Sequence, residues 1–228
     1  ANTTAQRVLI DHHLHPPVDG YTVQFSDTHS CSTSYIVYQL IEALAGTDAI
    51  DQAMAEALYV GIMTDTGNFS FSNLTSDLFR AVAVLIDRGV NVPYVNSSVY
   101  DNFSEGRMRL LGYMLNDKMV TDYRYGVAYV SLTEEEMRRF NFIQGDSEGF
   151  VNYPLSIRGI RMSAMFIQTK HSIRVSLRSR GSDVDVNVFA RRYFDGGGHR
   201  NAAGGKSYVS MDETLKNFHT YLKEYFGA

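Results

Sequence analysis

Hydrophobic periodicity changes partway along this 228-residue chain, and the change limits the folds that the sequence can adopt. After two short apolar runs, residues 1–102 repeat at helical spacing, whereas residues 122–228 contain the alternating apolar and polar runs typical of strands. Residues 103–121 have a helical pattern and connect the two parts. The sequence therefore predicts an α/β protein with domains at 1–102 and 122–228, joined by a linker helix over 103–121.

Capping residues and turn residues set the expected elements within each domain. The first domain should contain strands at 7–10 and 21–25 and helices that begin after Ser32, Asp48 and Thr75. The second should contain a hairpin at 122–132, a capping box at 133–136, paired strands at 159–169 and 172–179, and helices at 186–194 and 212–226.

Charge is divided between the two parts of the chain. The formal net charge is −4, with 6 Lys/Arg against 13 Asp/Glu in residues 1–120 and 15 against 12 in residues 121–228. An acidic part suits a cation and a basic part suits an anionic ligand, although solvated faces explain such a division equally simply.

Cysteine content and hydropathy narrow the cellular setting. The single cysteine, Cys31, excludes an internal disulfide framework and indicates a reducing compartment, so we expect a cytoplasmic location. The longest aliphatic run, at 81–86, is far shorter than the ~20 residues of a membrane-spanning helix, so no membrane partner is expected.

Asp11, His12 and His13 follow the first predicted strand, where open α/β sheets place their functional groups. Adjacent side chains on extended backbone point in opposite directions, so one imidazole can face a metal while the other faces a ligand. Asp11 can then hold an imidazole in one tautomer. A polar loop after a strand is the alternative.

Asp65 lies in a Thr-Asp-Thr-Gly segment between an apolar run and a turn. Its flanking hydroxyl groups could orient the carboxylate or contact a phosphate. A carboxylate that only caps a helix or turn is the alternative interpretation.

A glycine-rich segment at 194–205 contains three consecutive glycines followed by His199, Arg200 and Asn201. Glycines let a backbone approach a ligand, and a helix starting near Asn201 would add N–H groups for an anion. Arg178 lies on a preceding strand whose alternation places it on one face with Arg174, Ser176 and Arg180. A flexible turn and a solvated strand edge are the alternatives.

These three clusters, in this order, resemble the DHH-family phosphoesterases with a DHH-associated C-terminal domain, of the bacterial oligoribonuclease and phosphoadenosine-phosphate phosphatase type. Residues 11–13 match the motif that names the family, residues 61–67 look like its later Asp motif, and residues 194–205 look like its GGGH signature. The resemblance implies the C-terminal part of a parallel-sheet DHH domain, then a smaller α/β domain with a mixed sheet and a cleft between them.

The resemblance also implies two divalent metal ions, usually Mn²⁺ in this family, with His12 and Asp65 as ligands of the metal pair. Asp11 would orient His12, and His13 would lie beside the scissile phosphate. The substrate would be held by the following groups of the second domain: Arg178, Gly197, Gly198, His199, Arg200 and Asn201.

One part of the family pattern is missing. The His-x-x-Pro-Asp-x-Asp motif and a later bridging Asp, both expected upstream of residue 11, are absent from the sequence. The strand so close to Ala1 likewise indicates a fragment of a longer protein. We therefore expect this chain to supply only about two of the metal ligands and to be an incomplete catalyst alone.

The function implied is two-metal hydrolysis of short single-stranded RNA, 2–5 nucleotides long, and of 3′-phosphoadenosine 5′-phosphate, with cyclic-dinucleotide products as a close variant. A polyphosphate or pyrophosphate hydrolase would use the same metals without depending on a base. A non-catalytic nucleotide-binding module would keep the glycine segment and arginines but not the metals. The oligomeric state is open, with a homodimer among the alternatives.

Overall fold

The computed structural model describes residues 5–13, 16, 19–71 and 73–227. The chain divides into two compact units, Ala1–Asn102 and Phe103–Ala228, each with its own hydrophobic core. Within the described ranges, no helix combines the length and apolar character needed to cross a membrane.

The first unit begins with a pair of short parallel strands, β1 (Val8–Asp11) and β2 (Val23–Ser26). Their pairing places Asp11 opposite Ser26, at the carboxyl end of both strands. The predicted strands and the expected parallel pairing are therefore confirmed, and the Asp-His-His segment begins at the sheet edge where ligands of parallel sheets usually bind.

Four α-helices complete the first unit: α1 (Thr33–Ala45), α2 (Gln52–Asp65), α3 (Ser76–Asp87) and α4 (Val92–Tyr100). Ser32 and Thr75 cap α1 and α3 as predicted. The prediction that Asp48 caps α2 is wrong, because Asp48 lies in a short 3₁₀ turn and Asp51 is the cap. Ile50 lies between Asp48 and Asp51 and is almost completely buried, so it anchors the chain where the turn ends and α2 begins.

Helices α1 and α2 approach closely at Gly61. A Cβ atom built at Gly61 would lie 2.0 Å from Ser34 Oγ and 2.8 Å from Ser34 Cβ. Only a glycine therefore fits at this crossing, and its absent side chain fixes the position of the last turn of α2, which carries Asp65.

The second unit begins with α5 (Glu105–Tyr113) and one π-helical turn (Met114–Lys118). Six strands follow in the sheet order β3-β4-β5-β6-β8-β7. The strands are β3 (Val120–Asp122), β4 (Val127–Leu132), β5 (Met162–Gln168), β6 (Ile173–Ser179), β7 (Gly197–His199) and β8 (Ala202–Ser207). Because β4 and β5 are parallel and the other pairs antiparallel, the predicted mixed sheet is confirmed.

Helices cover the two faces of this sheet unequally. Helices α7 (Val186–Tyr193) and α8 (Met211–Phe226) pack on one face around Phe166, Phe189 and Phe218. On the other face, α5, α6 (Glu134–Arg139) and a 3₁₀ segment (Phe150–Ser156) pack mainly over β4 and β5, and the 3₁₀ segment also contacts β6. The β6–β8–β7 half of that face carries polar side chains instead.

The predicted linker over 103–121 is part of the second unit rather than a separate connector. Leu110 and Met114 are completely buried and pack against Val130 and Leu132 of β4. The apolar face of this helix therefore stabilises the sheet of the second unit, which explains why the segment belongs to that unit.

Candidate functional site

His12 and Asp65 come together in the first unit although 53 positions separate them in the chain. His12 Nε2 lies 3.6 Å from Asp65 Oδ2, and the two side chains are 14% and 44% exposed. The other ring nitrogen, Nδ1, lies 3.4 Å from the carbonyl oxygen of Ser30. Since a carbonyl oxygen only accepts hydrogen bonds, this contact places a proton on Nδ1 and directs Nε2 at the carboxylate.

The distance between His12 Nε2 and Asp65 Oδ2 indicates what kind of interaction the pair can make. At 3.6 Å it exceeds the usual length of an N–H···O hydrogen bond. Two ligands of one metal ion, each about 2.1 Å from it, cannot be more than roughly 4.2 Å apart, so the observed spacing fits a shared cation. With its proton on Nδ1, the imidazole directs the lone pair of Nε2 towards the carboxylate, and a divalent cation bound there would be held by both groups.

The Asp11 carboxylate contacts the ring of His13, and it also accepts a hydrogen bond from the His12 backbone N–H. One carboxylate oxygen, Oδ1, accepts the backbone N–H of His13 at 3.0 Å and lies 2.7 Å from His13 Nδ1. Burial raises the pKa of Asp11, but the hydrogen bonds from the His13 backbone and ring outweigh burial and lower it overall. The expectation that Asp11 orients His12 is therefore corrected, because the tight turn after β1 brings the neighbouring imidazole to the carboxylate and leaves His12 to Ser30.

Residues after Asp65 form a compact turn. Thr66 is almost completely buried, and its hydroxyl group donates to the carbonyl oxygen of Ile62 and accepts the backbone N–H of Phe69. Asp65 itself is the last residue of α2 and not a capping residue. Its carboxylate is therefore available to a ligand and is held in place by the helix behind it.

The glycine-rich segment of the second unit is a β-hairpin. No helix begins at Asn201, so the expected N–H groups of a helix start are absent there; β7 and β8 pair antiparallel, with His199 opposite Ala202. The glycines serve close backbone packing, because a Cβ at Gly196 would lie 1.9 Å from the Gly204 carbonyl oxygen. At Gly198, φ is +150° and a Cβ would lie 2.4 Å from the Ala202 carbonyl oxygen.

Strand register gathers four basic side chains on the β6–β8–β7 half of the sheet. Arg178 and His199 both pair with Ala202, and Arg174 pairs with Lys206. Paired residues share a sheet face, so these groups form a basic strip, defined here as Arg174, Arg178, His199 and Lys206. Small residues separate them, since Ser176, Gly204 and Gly197 pair across the middle row.

Arg178 is the most buried member of this strip. Burial lowers the pKa of its guanidinium group, and the charge of Glu148 raises it. Its Nη1 donates to the carbonyl oxygen of Leu177, while Arg174 Nη2 donates to Ser147 Oγ at 2.8 Å. The predicted shared face of Arg174, Ser176 and Arg178 is therefore present, whereas Arg180 follows the end of β6.

Arg200 and Asn201 are engaged in local structure. The Arg200 guanidinium group donates to the carbonyl oxygen of Ser182. Asn201 Oδ1 accepts the hydroxyl hydrogen of Ser179 at 3.0 Å. Both side chains brace the β6–β8 end of the hairpin, so their predicted contact with a substrate remains a prediction.

Sequence reasoning missed two supporting residues. Ser30 acts through its carbonyl oxygen, which no sequence pattern identifies. Asn187, on α7, accepts the backbone N–H of Gly198 at 3.0 Å and the Nε–H of Arg191 at 3.1 Å, and so holds the hairpin against the helix. A polar side chain about two helical turns before the glycine-rich segment is a weak signal, and helix capping explains it equally well.

Comparison with known families agrees with this fold. Residues 122–228, which form most of the second unit, match the model of the DHHA1 domain, and the resemblance to DHH phosphoesterases with this domain is confirmed.

Three relatives extend the likeness over most of the chain. The bifunctional oligoribonuclease and PAP phosphatase NrnA of Bacillus subtilis is 29% identical over 97% of the chain. A probable bifunctional oligoribonuclease and PAP phosphatase NrnA of Streptococcus mutans is 29% identical over 88%. The solved structure of an exopolyphosphatase-related protein from Bacteroides fragilis is 38% identical over 97%, with a TM-score of 0.92. The chain spans 69%, 62% and 64% of the lengths of these relatives, respectively.

Proposed function

We propose that the protein containing this chain is a metal-dependent phosphoesterase that hydrolyses oligoribonucleotides of 2–5 residues and 3′-phosphoadenosine 5′-phosphate. The observation that carries the proposal is the 3.6 Å approach of His12 Nε2 to Asp65 Oδ2, with Ser30 fixing the imidazole. Homologues named as oligoribonuclease and PAP phosphatase support the choice of substrate.

The residues present fit a divalent metal ion. An imidazole nitrogen and a carboxylate oxygen suit Mn²⁺, and their spacing is compatible with one shared ion. His12 and Asp65 would hold it, with the remaining ligands supplied by other groups. When bound, such ions lower the pKa of a water molecule and neutralise charge on the phosphoryl oxygens.

The chain's own side chains have separate tasks in this proposal. Asp11 holds the His13 ring by its Nδ1, so the opposite ring nitrogen is oriented to contact a phosphoryl oxygen or exchange a proton with it. The basic strip of the second unit supplies guanidinium and ammonium groups for substrate phosphates, and a half-buried guanidinium such as Arg178 binds phosphate with little rearrangement.

The experiment compares two His–Asp pairs of the same unit. His29 Nδ1 lies 3.5 Å from Asp27 Oδ1, but this pair is exposed and makes a matched control. In the complete gene product with Mn²⁺, His12→Ala and Asp65→Ala should each reduce release of mononucleotides from a dinucleotide by about 100-fold or more. His29→Ala and Asp27→Ala should retain wild-type rates.

Two outcomes would contradict the proposal. Unchanged rates after His12→Ala and Asp65→Ala would remove the metal assignment. Binding of adenosine bisphosphate without Mn²⁺, combined with no turnover of any phosphoester, would instead indicate a non-catalytic nucleotide-binding module.

A second candidate function follows from the relative of known structure. The Bacteroides fragilis protein is described as exopolyphosphatase-related, so hydrolysis of polyphosphate or pyrophosphate is the alternative for this chain. That reaction uses phosphate groups alone. Equal catalytic efficiency on tripolyphosphate and on a dinucleotide would favour it, whereas a strong preference for the dinucleotide supports the proposal above.

A further inference from the structure

The turn that follows Asp65 presents an aromatic ring, and we propose that this ring, Phe71, stacks on a nucleobase of the substrate. The inference deepens the proposed function and rests on it. It makes Phe71 the residue that distinguishes base-bearing substrates from polyphosphate.

The backbone of the turn places Phe71 close to Asp65. Gly67, Asn68 and Phe69 all have positive φ, between 55° and 59°. This left-handed run reverses the chain, and the backbone N–H groups of Ser70 and Phe71 both donate to the carbonyl oxygen of Thr66, at 2.9 and 3.0 Å. The backbone of Phe71 is therefore hydrogen-bonded to Thr66, the residue that follows Asp65.

The two phenylalanines of the turn have opposite environments. Phe69 packs into the core, with ring centroids 6.0 Å from Tyr59 and 5.8 Å from Phe79. Phe71 is 56% exposed, and its ring covers Gly67, where a Cβ atom would come within 2.3 Å of a ring carbon. Backbone therefore supports one side of the Phe71 ring, and the rest of the ring is open to solvent.

The conformation of the turn adds to the argument. Left-handed backbone is rare and unfavourable for a bulky residue such as Phe69, and such strain concentrates at functional sites. Here the strained residue allows the turn to bury one aromatic ring and to expose the next one beside the candidate metal ligand.

The chemistry of stacking identifies the ligand class. Every base has an aromatic face, so a phenylalanine platform recognises the presence of a base without selecting its identity. A nucleotide whose phosphate lies at the His12–Asp65 pair can place its base on the Phe71 ring. Inorganic polyphosphate has no group that can use the ring.

The test measures hydrolysis and binding with variants of the complete gene product. Phe71→Ala removes the ring, Phe71→Leu keeps an apolar cover over Gly67 without an aromatic face, and Phe71→Trp enlarges the platform. Tyr94→Ala is the control, because Tyr94 is 64% exposed on α4 of the same unit. The substrates are a dinucleotide, its abasic analogue and tripolyphosphate, and quenching of a 2-aminopurine dinucleotide reports binding directly.

Phe71→Ala and Phe71→Leu should raise KM for the dinucleotide about tenfold and abolish most of the fluorescence quenching. The same variants should leave the abasic analogue unchanged, and Phe71→Trp and Tyr94→Ala should match the wild type on all substrates. Equal losses on dinucleotide and abasic analogue, or no loss on either, would overturn the role of Phe71. Hydrolysis that persists in His12→Ala and Asp65→Ala would instead refute the proposed function.

Discussion

A few individual hydrogen bonds assign different tasks to adjacent residues. His12 is oriented by the Ser30 carbonyl oxygen and faces Asp65, whereas His13 is oriented by Asp11. The two rings lie 4.6 Å apart at an interplanar angle of 72°. Adjacent histidines therefore present their ring nitrogens in different directions, which lets one be a metal ligand while the other contacts substrate.

Asp11→Asn tests this division of tasks. Because Asp11 contacts His13, the substitution should lower kcat about tenfold or more by misorienting that imidazole, while Mn²⁺ affinity stays within about twofold of wild type. Steady-state kinetics with Mn²⁺ titration separates the two quantities. A parallel loss of metal affinity would mean that Asp11 supports His12 after all.

Arg178 and Arg180 provide a second comparison between neighbouring residues. Arg178 lies within β6 and belongs to the basic strip, whereas Arg180 is exposed beyond the end of the strand. Arg178→Ala should raise KM for adenosine bisphosphate about tenfold or more, because a charge-assisted phosphate contact is lost. Arg180→Ala should change KM less than threefold, and equal effects of both would argue against a specific role for the strip.

At the scale of helices and strands, helix starts were predicted best where the sequence signal is local. The caps at Ser32 and Thr75 and the capping box at Thr133–Glu136 are all present, because each depends on residues three positions apart. Asp48 was mistaken for a cap because Asp51, equally suitable, follows three residues later, and only burial of Ile50 decides between them.

The hairpin at β7–β8 was the largest error at this scale. Three consecutive glycines carry no strand signal, and their pairing depends on β6 and on Phe194, whose carbonyl oxygen accepts the N–H of Lys206 at 2.7 Å. Partners of this kind are distant in sequence. A reading of residues 194–205 alone could identify the segment as important but not as a sheet edge.

Gly61→Ala tests the crossing of α1 and α2. The new methyl group would overlap Ser34, so the substitution should lower the free energy of unfolding of the first unit by about 1–3 kcal/mol. Adding Ser34→Gly removes both clashing atoms and should restore part of this loss, whereas Ser34→Ala leaves the Cβ contact and should not. Urea unfolding of the three variants checks this, and equal stability of both double variants would contradict it.

Glu136 predicts a pH dependence of the second unit. Burial raises its pKa, but hydrogen bonds from Lys118, Thr133 and Tyr113 outweigh burial and lower the pKa to about 2, from 4.5. A carboxylate with a lowered folded-state pKa contributes stability above about pH 4.5, and this contribution is lost as the pH falls towards 2.

Glu136→Gln should therefore lower the free energy of unfolding by about 2 kcal/mol at pH 7 and flatten its decline between pH 4.5 and 2. Glu135→Gln, on the exposed side of the same helix, is the control and should behave as wild type. An identical pH profile for wild type and Glu136→Gln would show that these hydrogen bonds do not stabilise the fold.

For the whole molecule, sequence patterns were sufficient for the class and for the main motifs. The α/β architecture was predicted from hydrophobic periodicity, whereas the parallel strands of the first unit and the mixed sheet of the second were expected from the family resemblance. The approach of His12 to Asp65 was also expected from the family resemblance. The Ser30 carbonyl oxygen that orients His12 and the strand register that places Arg178 were not predicted. Such partners are set by tertiary structure rather than by residue type.

The central claim is that His12 and Asp65 are ligands of one divalent cation. The most direct test is anomalous scattering from crystals of the protein soaked with Mn²⁺, measured for wild type and for Asp65→Asn. The account predicts an anomalous peak within coordinating distance of both His12 Nε2 and an Asp65 carboxylate oxygen, lost or strongly reduced in the variant. A Mn²⁺ peak bound elsewhere, with these two side chains in direct contact and no density between them, would contradict it.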